Sequence, residues 1–108
     1  MSDAAFSAIE DPNSETIISV VSFWELSMKS VVGKLPLPMP PAELERHAIQ
    51  EGLEVLPLFV PQIDRFHRLP TTHRDAFDRM LAAIALVNEC TIITPDPAFD
   101  ALGVTRFW

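Results

Sequence analysis

The sequence predicts an α/β domain with a mainly parallel sheet, and three observations carry that reading. Short apolar, β-branched runs alternate with stretches of helical character along the chain. The run at 16–21 (TIISVV) is apolar on both faces, as befits a strand covered on two sides in a parallel sheet. The 108 residues, 48% of them apolar, suit one globular core. A single domain over residues 1–108 is therefore expected.

Residues 3–10 (DAAFSAIE) have helical propensity and an apolar stripe at Ala5, Phe6 and Ile9, and Asp11-Pro12-Asn13 stops them. After the strand at 16–21, Ser22 and Glu25 stand in the Ser-x-x-Glu spacing of a capping box, which predicts a helix starting there and running through Met28, Val31 and Val32 to Gly33. The proline-rich stretch 35–41 is an extended connector that seeds a helix over 42–50, closed by Gly52. Residues 53–58 (LEVLPL) read as a strand that Pro57 places at an edge or at its own end. A short helix over 60–69 and a loop over 70–73 follow. The helix of 73–87 then opens with charge and turns almost wholly apolar, so its mouth should meet water and its body should be buried. Residues 91–94 (TIIT) form a third strand, Pro95-Asp96-Pro97 a turn, 98–102 a helical turn, and 104–108 a last strand.

Charge narrows the function classes. A formal net charge of -7 and a pI near 4.7 oppose broad electrostatic adhesion to nucleic acid or to an anionic membrane. A nuclease remains open, because clustered acids can hold cations that then meet phosphate. The lone Cys90 cannot form an internal disulfide, and no Cys and His cluster has zinc-site spacing. With no signal segment and no apolar run that spans a bilayer, a cytoplasmic protein with no membrane partner is expected.

In a parallel sheet, ligands bind beyond the carboxyl ends of the strands. Chain order brings three acids there: Glu25 after the first strand, Asp78 in the first turn of the 73–87 helix, and Asp96 after the third strand. Each has a structural reading beside the chemical one. Glu25 can complete the capping box, Asp96 can cap the turn at Pro97, and Asp75 and Asp78 suit the positive end of their helix dipole. Taken together, carboxylates converging on one cleft repel one another unless something positive sits among them. Oxygen-only ligation suits a hard ion such as Mg²⁺ or Mn²⁺, which can position a water and neutralise a phosphodiester.

The runs TIISVVSFWELSMKSVVGKLPLP, HRDAFDRMLAAIA, TIITPDPAF and GVTRFW, in that order, resemble the PIN-domain family and, within it, the VapC-like toxin ribonucleases of toxin and antitoxin pairs. The resemblance implies a three-layer α/β fold and a metal-dependent ribonuclease using Mg²⁺ or Mn²⁺. Glu25 corresponds to the family acid in the helix after the second strand, Asp78 to the acid of the Asp-x-x-x-Ala-Ala helix, and Asp96 to the last acid. Asp75 supports that site. The family also begins with a strand bearing an aspartate, and this chain starts inside what would be the second helix. The first strand and helix of the family are thus expected to be absent, which leaves an inactive binding module as the alternative to an enzyme. The resemblance further implies RNA as substrate, a homodimer, and an antitoxin whose tail covers the acidic cleft.

The other charged residues near these acids read in two ways. Lys29, four residues after Glu25, predicts an i,i+4 ion pair, with steadying of Glu25 or a phosphate contact as the alternative. Arg74 and Arg79 flank the aspartates and can orient them, meet RNA, or serve as ordinary surface charges. His67 and His73 read as surface histidines. Ser22 lacks the glycine elbow of a nucleophile. Trp24, Met28, Val31 and Val32 are expected to be core, with an exposed groove for a partner as the other reading.

Overall fold

The side chains of Ser2, Ser19 and Asp75 start three helices of this protein, and Gly33 and Gly52 close two. The computed structural model describes residues 2–11, 13, 15–70 and 75–108. Its helices are α1 (Asp3–Glu10), α2 (Val20–Val31), α3 (Pro41–Gln50), α4 (Val60–Arg68) and α5 (Ala76–Asn88). The strands are β1 (Ile17–Ser19), β2 (Glu54–Leu56), β3 (Ile92–Ile93) and β4 (Arg106–Phe107), with a 3₁₀ turn at Pro97–Leu102. Pairing is parallel throughout, as the sequence predicts: β1 with β2, Ile17 opposite Glu54 and Ser19 opposite Leu56, and β3 with β4, Ile92 opposite Arg106. The fold is α/β with parallel strands and a mostly helical content. The chain forms two compact units, Glu15–Pro57 on the one hand and Met1–Ser14 with Leu58–Trp108 on the other.

In the unit Glu15–Pro57, the order β1, α2, α3, β2 makes a crossover between parallel strands. The first helix starts earlier than its sequence suggests. Ser19, not Ser22, is the N-cap, and its hydroxyl accepts the Val21 N–H at 3.1 Å. Ser22 is thereby inside the first turn and the Ser22–Glu25 capping box does not form. Two serines three residues apart both offered a cap, and the one already at the strand end took it. Gly33 (φ 79°) closes α2 with the Gly33 N–H on the Ser30 carbonyl and the Lys34 N–H on the Lys29 carbonyl, at 3.0 and 2.8 Å. Gly52 does the same for α3, and Pro41 starts that helix at N1, where its missing N–H costs nothing.

Only Val21 of α2 is buried, so the core reading of its apolar face is corrected. Trp24, Met28, Val31 and Val32 are 59%, 45%, 81% and 60% exposed. Helical spacing told that these residues share a side, but not that any element covers it.

In the other unit, α4 and α5 form a helical pair that carries the core. Ala82, Ala83 and Ala85 of α5 pack with Leu69, Phe99, Leu102 and Val104, and Phe66, Leu81 and Ile92 close around them. Small alanines let the neighbouring backbones approach closely, so the apolar body predicted for this helix is buried as expected. Gln62, 2% exposed, ties the hairpin at its far end: its side chain accepts the Phe59 N–H at 2.6 Å and donates to Asn88 Oδ1 at 2.8 Å. The predicted opening of the helix at His73 and Arg74 lies outside the described residues; α5 itself begins at Ala76 behind the N-cap Asp75.

Candidate functional site

The mouth of α5 is built from the N-cap requirement. Four N–H groups at a helix start lack intrahelical partners. Asp75 answers two of them, its Oδ1 accepting from the Phe77 N–H at 2.9 Å and the Asp78 N–H at 3.1 Å. That bond fixes the Asp75 carboxylate over the first turn, and Asp78, three residues on, rises from the same turn. An oxygen of each lies within 4.8 Å of the other. Asp75 is exposed and Asp78 half-buried, so the pair stands at the boundary between solvent and core.

The donor chemistry fits a hard divalent ion. Two oxygens on one octahedral ion with bonds of about 2.1 Å stand roughly 3 to 4 Å apart, within reach of small side-chain rotations from this arrangement. Asp75 uses only Oδ1 in capping, which leaves Oδ2 for a ligand. An ion here would be held by Asp78 and Asp75, with no nitrogen or sulfur donor among them.

Arg79 organises the same turn from the side. Its Nη2 donates to the carbonyl oxygens of Phe66 and Leu69, both at 3.4 Å, and its guanidinium lies over the Phe66 ring at 4.6 Å. These carbonyls stand at the end of α4, where that of Phe66 also accepts the Leu69 N–H at 3.2 Å, so Arg79 caps one helix from the first turn of the next. Arg74 and His73 lie outside the described residues. His67 is on the exposed side of α4.

Asp96 caps the 3₁₀ turn as its sequence suggested, with Oδ1 accepting the Ala98 N–H at 2.9 Å and Pro97 at N1. Its own N–H donates to Thr94 Oγ1 at 3.2 Å, which orients the loop after β3. Among the described residues, Asp96 does not come within 4.8 Å of both Asp75 and Asp78. Glu25 belongs to the other unit. It lies in the second turn of α2 rather than the first, because the helix starts at Val20, and it makes the expected ion pair with Lys29 at 3.7 Å.

In the sequence Asp75 stands behind Asp78 because the family acids of the resemblance fall on Glu25, Asp78 and Asp96, with Asp75 in support. Its i,i+3 spacing from Asp78 was the available signal, since such residues are neighbours on a helix surface. Gln62 carried no sequence signal at all: a lone glutamine in a polar helix reads as solvated.

Among the described residues, no helix is long and apolar enough to cross a membrane. The PIN domain family matches residues 2–104. No curated protein and no solved structure matches the chain. PIN domains are typically nucleases that bind divalent metal ions, which agrees with carboxylates paired at the α5 mouth. With nearly its whole length matched, the chain belongs to the PIN domain family.

Proposed function

We propose that the protein is a metal-dependent endoribonuclease, the VapC-like toxin of a toxin and antitoxin pair, working in the cytoplasm. The pairing of Asp75 and Asp78 at the mouth of α5, in a chain of the PIN family, is the observation that carries this reading. Glu25, Asp78 and Asp96 are its proposed ligands for Mg²⁺ or Mn²⁺, directly or through water, and Asp75 supports them. When bound, the ion supplies charge neutralisation at the scissile phosphodiester and a water poised for attack.

The chain's own residues do the rest. Asp75 holds its carboxylate beside Asp78 through two backbone N–H groups, so the site is preorganised by a helix start rather than by a flexible loop. Arg79 fixes the end of α4 against that helix start. Lys29 neutralises Glu25 through their ion pair while no cation is bound. Arg74 is assigned to support the aspartates or to contact RNA. An antitoxin arginine would satisfy the carboxylates in a bidentate pair, and the toxin would act as a homodimer.

A second reading, an inactive module that binds itself or an antitoxin, draws on the exposed apolar face of α2. Titration with Mn²⁺ followed by electron paramagnetic resonance tests the first. Glu25→Gln, Asp78→Asn and Asp96→Asn should each weaken binding about tenfold or more, the equivalent of roughly 1.4 kcal/mol. Unchanged affinity in all three would remove the proposed ligand set, and partner binding without any metal binding would favour the second reading.

A further inference from the structure

The protein carries a net charge of -7, so no general positive field draws a polyanion to it, and individual cations must do so. Most of its lysines and arginines are already engaged. Lys29 pairs with Glu25 at 3.7 Å, Arg46 with Glu43 at 3.9 Å, Arg68 with Asp64 at 3.1 Å and Arg106 with Asp100 at 2.9 Å. Arg79 is held on the two carbonyls at the end of α4. Arg74 lies outside the described residues. Among the described lysines and arginines, the side chains of Lys34 and Arg65 alone make no ion pair or hydrogen bond.

Their positions separate them. Lys34 lies in the unit Glu15–Pro57, whereas Arg65 is in the same unit as Asp75 and Asp78. Arg65 sits on α4 four residues before Leu69, whose carbonyl oxygen holds Arg79 in the first turn of α5. One helical turn, about 5.4 Å along the axis, thus separates Arg65 from the point where α4 meets the mouth of α5. A place in the last turn of α4 also suits the helix dipole. Arg68 and His67 already serve that need, and it does not call for a half-buried arginine with its fork unpaired.

We infer that Arg65 is a phosphate-binding residue for single-stranded RNA, gripping a phosphate next to the scissile one, which rests on the nuclease reading above. A guanidinium meets two phosphate oxygens at once, which a lysine ammonium cannot do with the same geometry. A phosphate other than the scissile one is the fitting partner, because an ion held by the carboxylates would itself neutralise the scissile one.

The test is fluorescence polarisation with a labelled single-stranded RNA, in an Asp78→Asn background that removes cleavage, with Arg65→Gln and Lys34→Gln compared across a salt series. Arg65→Gln should raise Kd about three- to tenfold and lower the slope of log affinity against log salt by about 0.7. Arg65→Lys should recover the slope and only part of the affinity, and Lys34→Gln should change neither. In the Asp78-intact enzyme, Arg65→Gln should raise KM with kcat unchanged. Equal Kd and equal slope for Arg65→Gln would overturn the inference, even if the protein cleaves RNA. Weakened binding by Arg65→Gln in a protein that cleaves no RNA with either metal would sustain the contact and remove the nuclease reading instead. No RNA binding by the Asp78→Asn protein at any salt would overturn the Arg65 contact.

Discussion

The Asp75 carboxylate accepts the backbone N–H of Asp78 at 3.1 Å while the two side chains bring carboxylate oxygens within 4.8 Å of one another. One side chain therefore does two things, starting a helix and presenting a possible ligand. The two roles separate by substitution. Asparagine is as good an N-cap as aspartate, so Asp75→Asn should leave stability within a few tenths of a kcal/mol, whereas Asp75→Ala should cost about 1 kcal/mol. If Asp75 supports the metal, Asp75→Asn should still weaken Mn²⁺ binding. Urea denaturation paired with Mn²⁺ titration checks both, and a large loss of stability in Asp75→Asn would contradict the cap.

Asp78→Asn should change the stability of the metal-free protein little. Losing the favourable dipole interaction costs about 0.3 to 1 kcal/mol, and relief of repulsion from Asp75 returns about 1 kcal/mol in a water-like dielectric. The difference belongs in the response to metal. At a hundredfold excess over Kd, an ion that binds only the folded state adds about 2.7 kcal/mol, which raises Tm by several degrees for a domain of this size. Thermal melts with and without Mn²⁺ should show that rise in the unsubstituted protein and, at the same Mn²⁺ concentration, about half of it or less in Asp78→Asn.

Arg79 joins the end of α4 to the start of α5 through two carbonyl bonds and the Phe66 ring. Its bonds are long, so Arg79→Met should cost about 1 to 2 kcal/mol rather than the larger amount expected of a buried ion pair. Arg79→Lys should recover part of the loss. Hydrogen exchange should show faster opening at Phe77 and Asp78 in Arg79→Met, because their amides lie in the turn that Arg79 holds. Unchanged exchange there would remove its positioning role.

Gln62 is buried and bonds the Phe59 N–H and the Asn88 side chain at once. Gln62→Leu keeps the volume but strands the Phe59 N–H and the Asn88 side chain, at about 1 to 3 kcal/mol. Chemical denaturation gives the number, and a neutral result would mean that water replaces both bonds.

Local signals in the sequence were the legible ones. Gly33 and Gly52 end helices because the positions after α2 and α3 need positive φ, at 79° and 89°. The Asp96-Pro97 pair and the alanine-rich body of α5 were readable for the same reason: each depends on residues close in the chain. The start of α2 was not, because Ser19 and Ser22 compete for one cap and the choice depends on where the strand ends. Strand lengths were overestimated at each of the four runs, since apolar β-branched residues mark a propensity while pairing fixes the length. The exposure of Trp24 and Met28 and the burial of Gln62 are tertiary facts with no local signature. At the site, the sequence pointed to Glu25, Asp78 and Asp96 as a converging set with Asp75 in support, and the capping geometry shows how Asp75 comes to stand beside Asp78.

The proposed role of these carboxylates is to hold a divalent ion that serves RNA cleavage. The most direct measurement is cleavage of a labelled structured RNA by the purified protein with Mg²⁺, with Mn²⁺, and with a chelator. Cleavage should proceed with metal, stop on chelation and be lost in Asp78→Asn. Cleavage that survives the chelator, or persists undiminished in Asp78→Asn, would contradict that role.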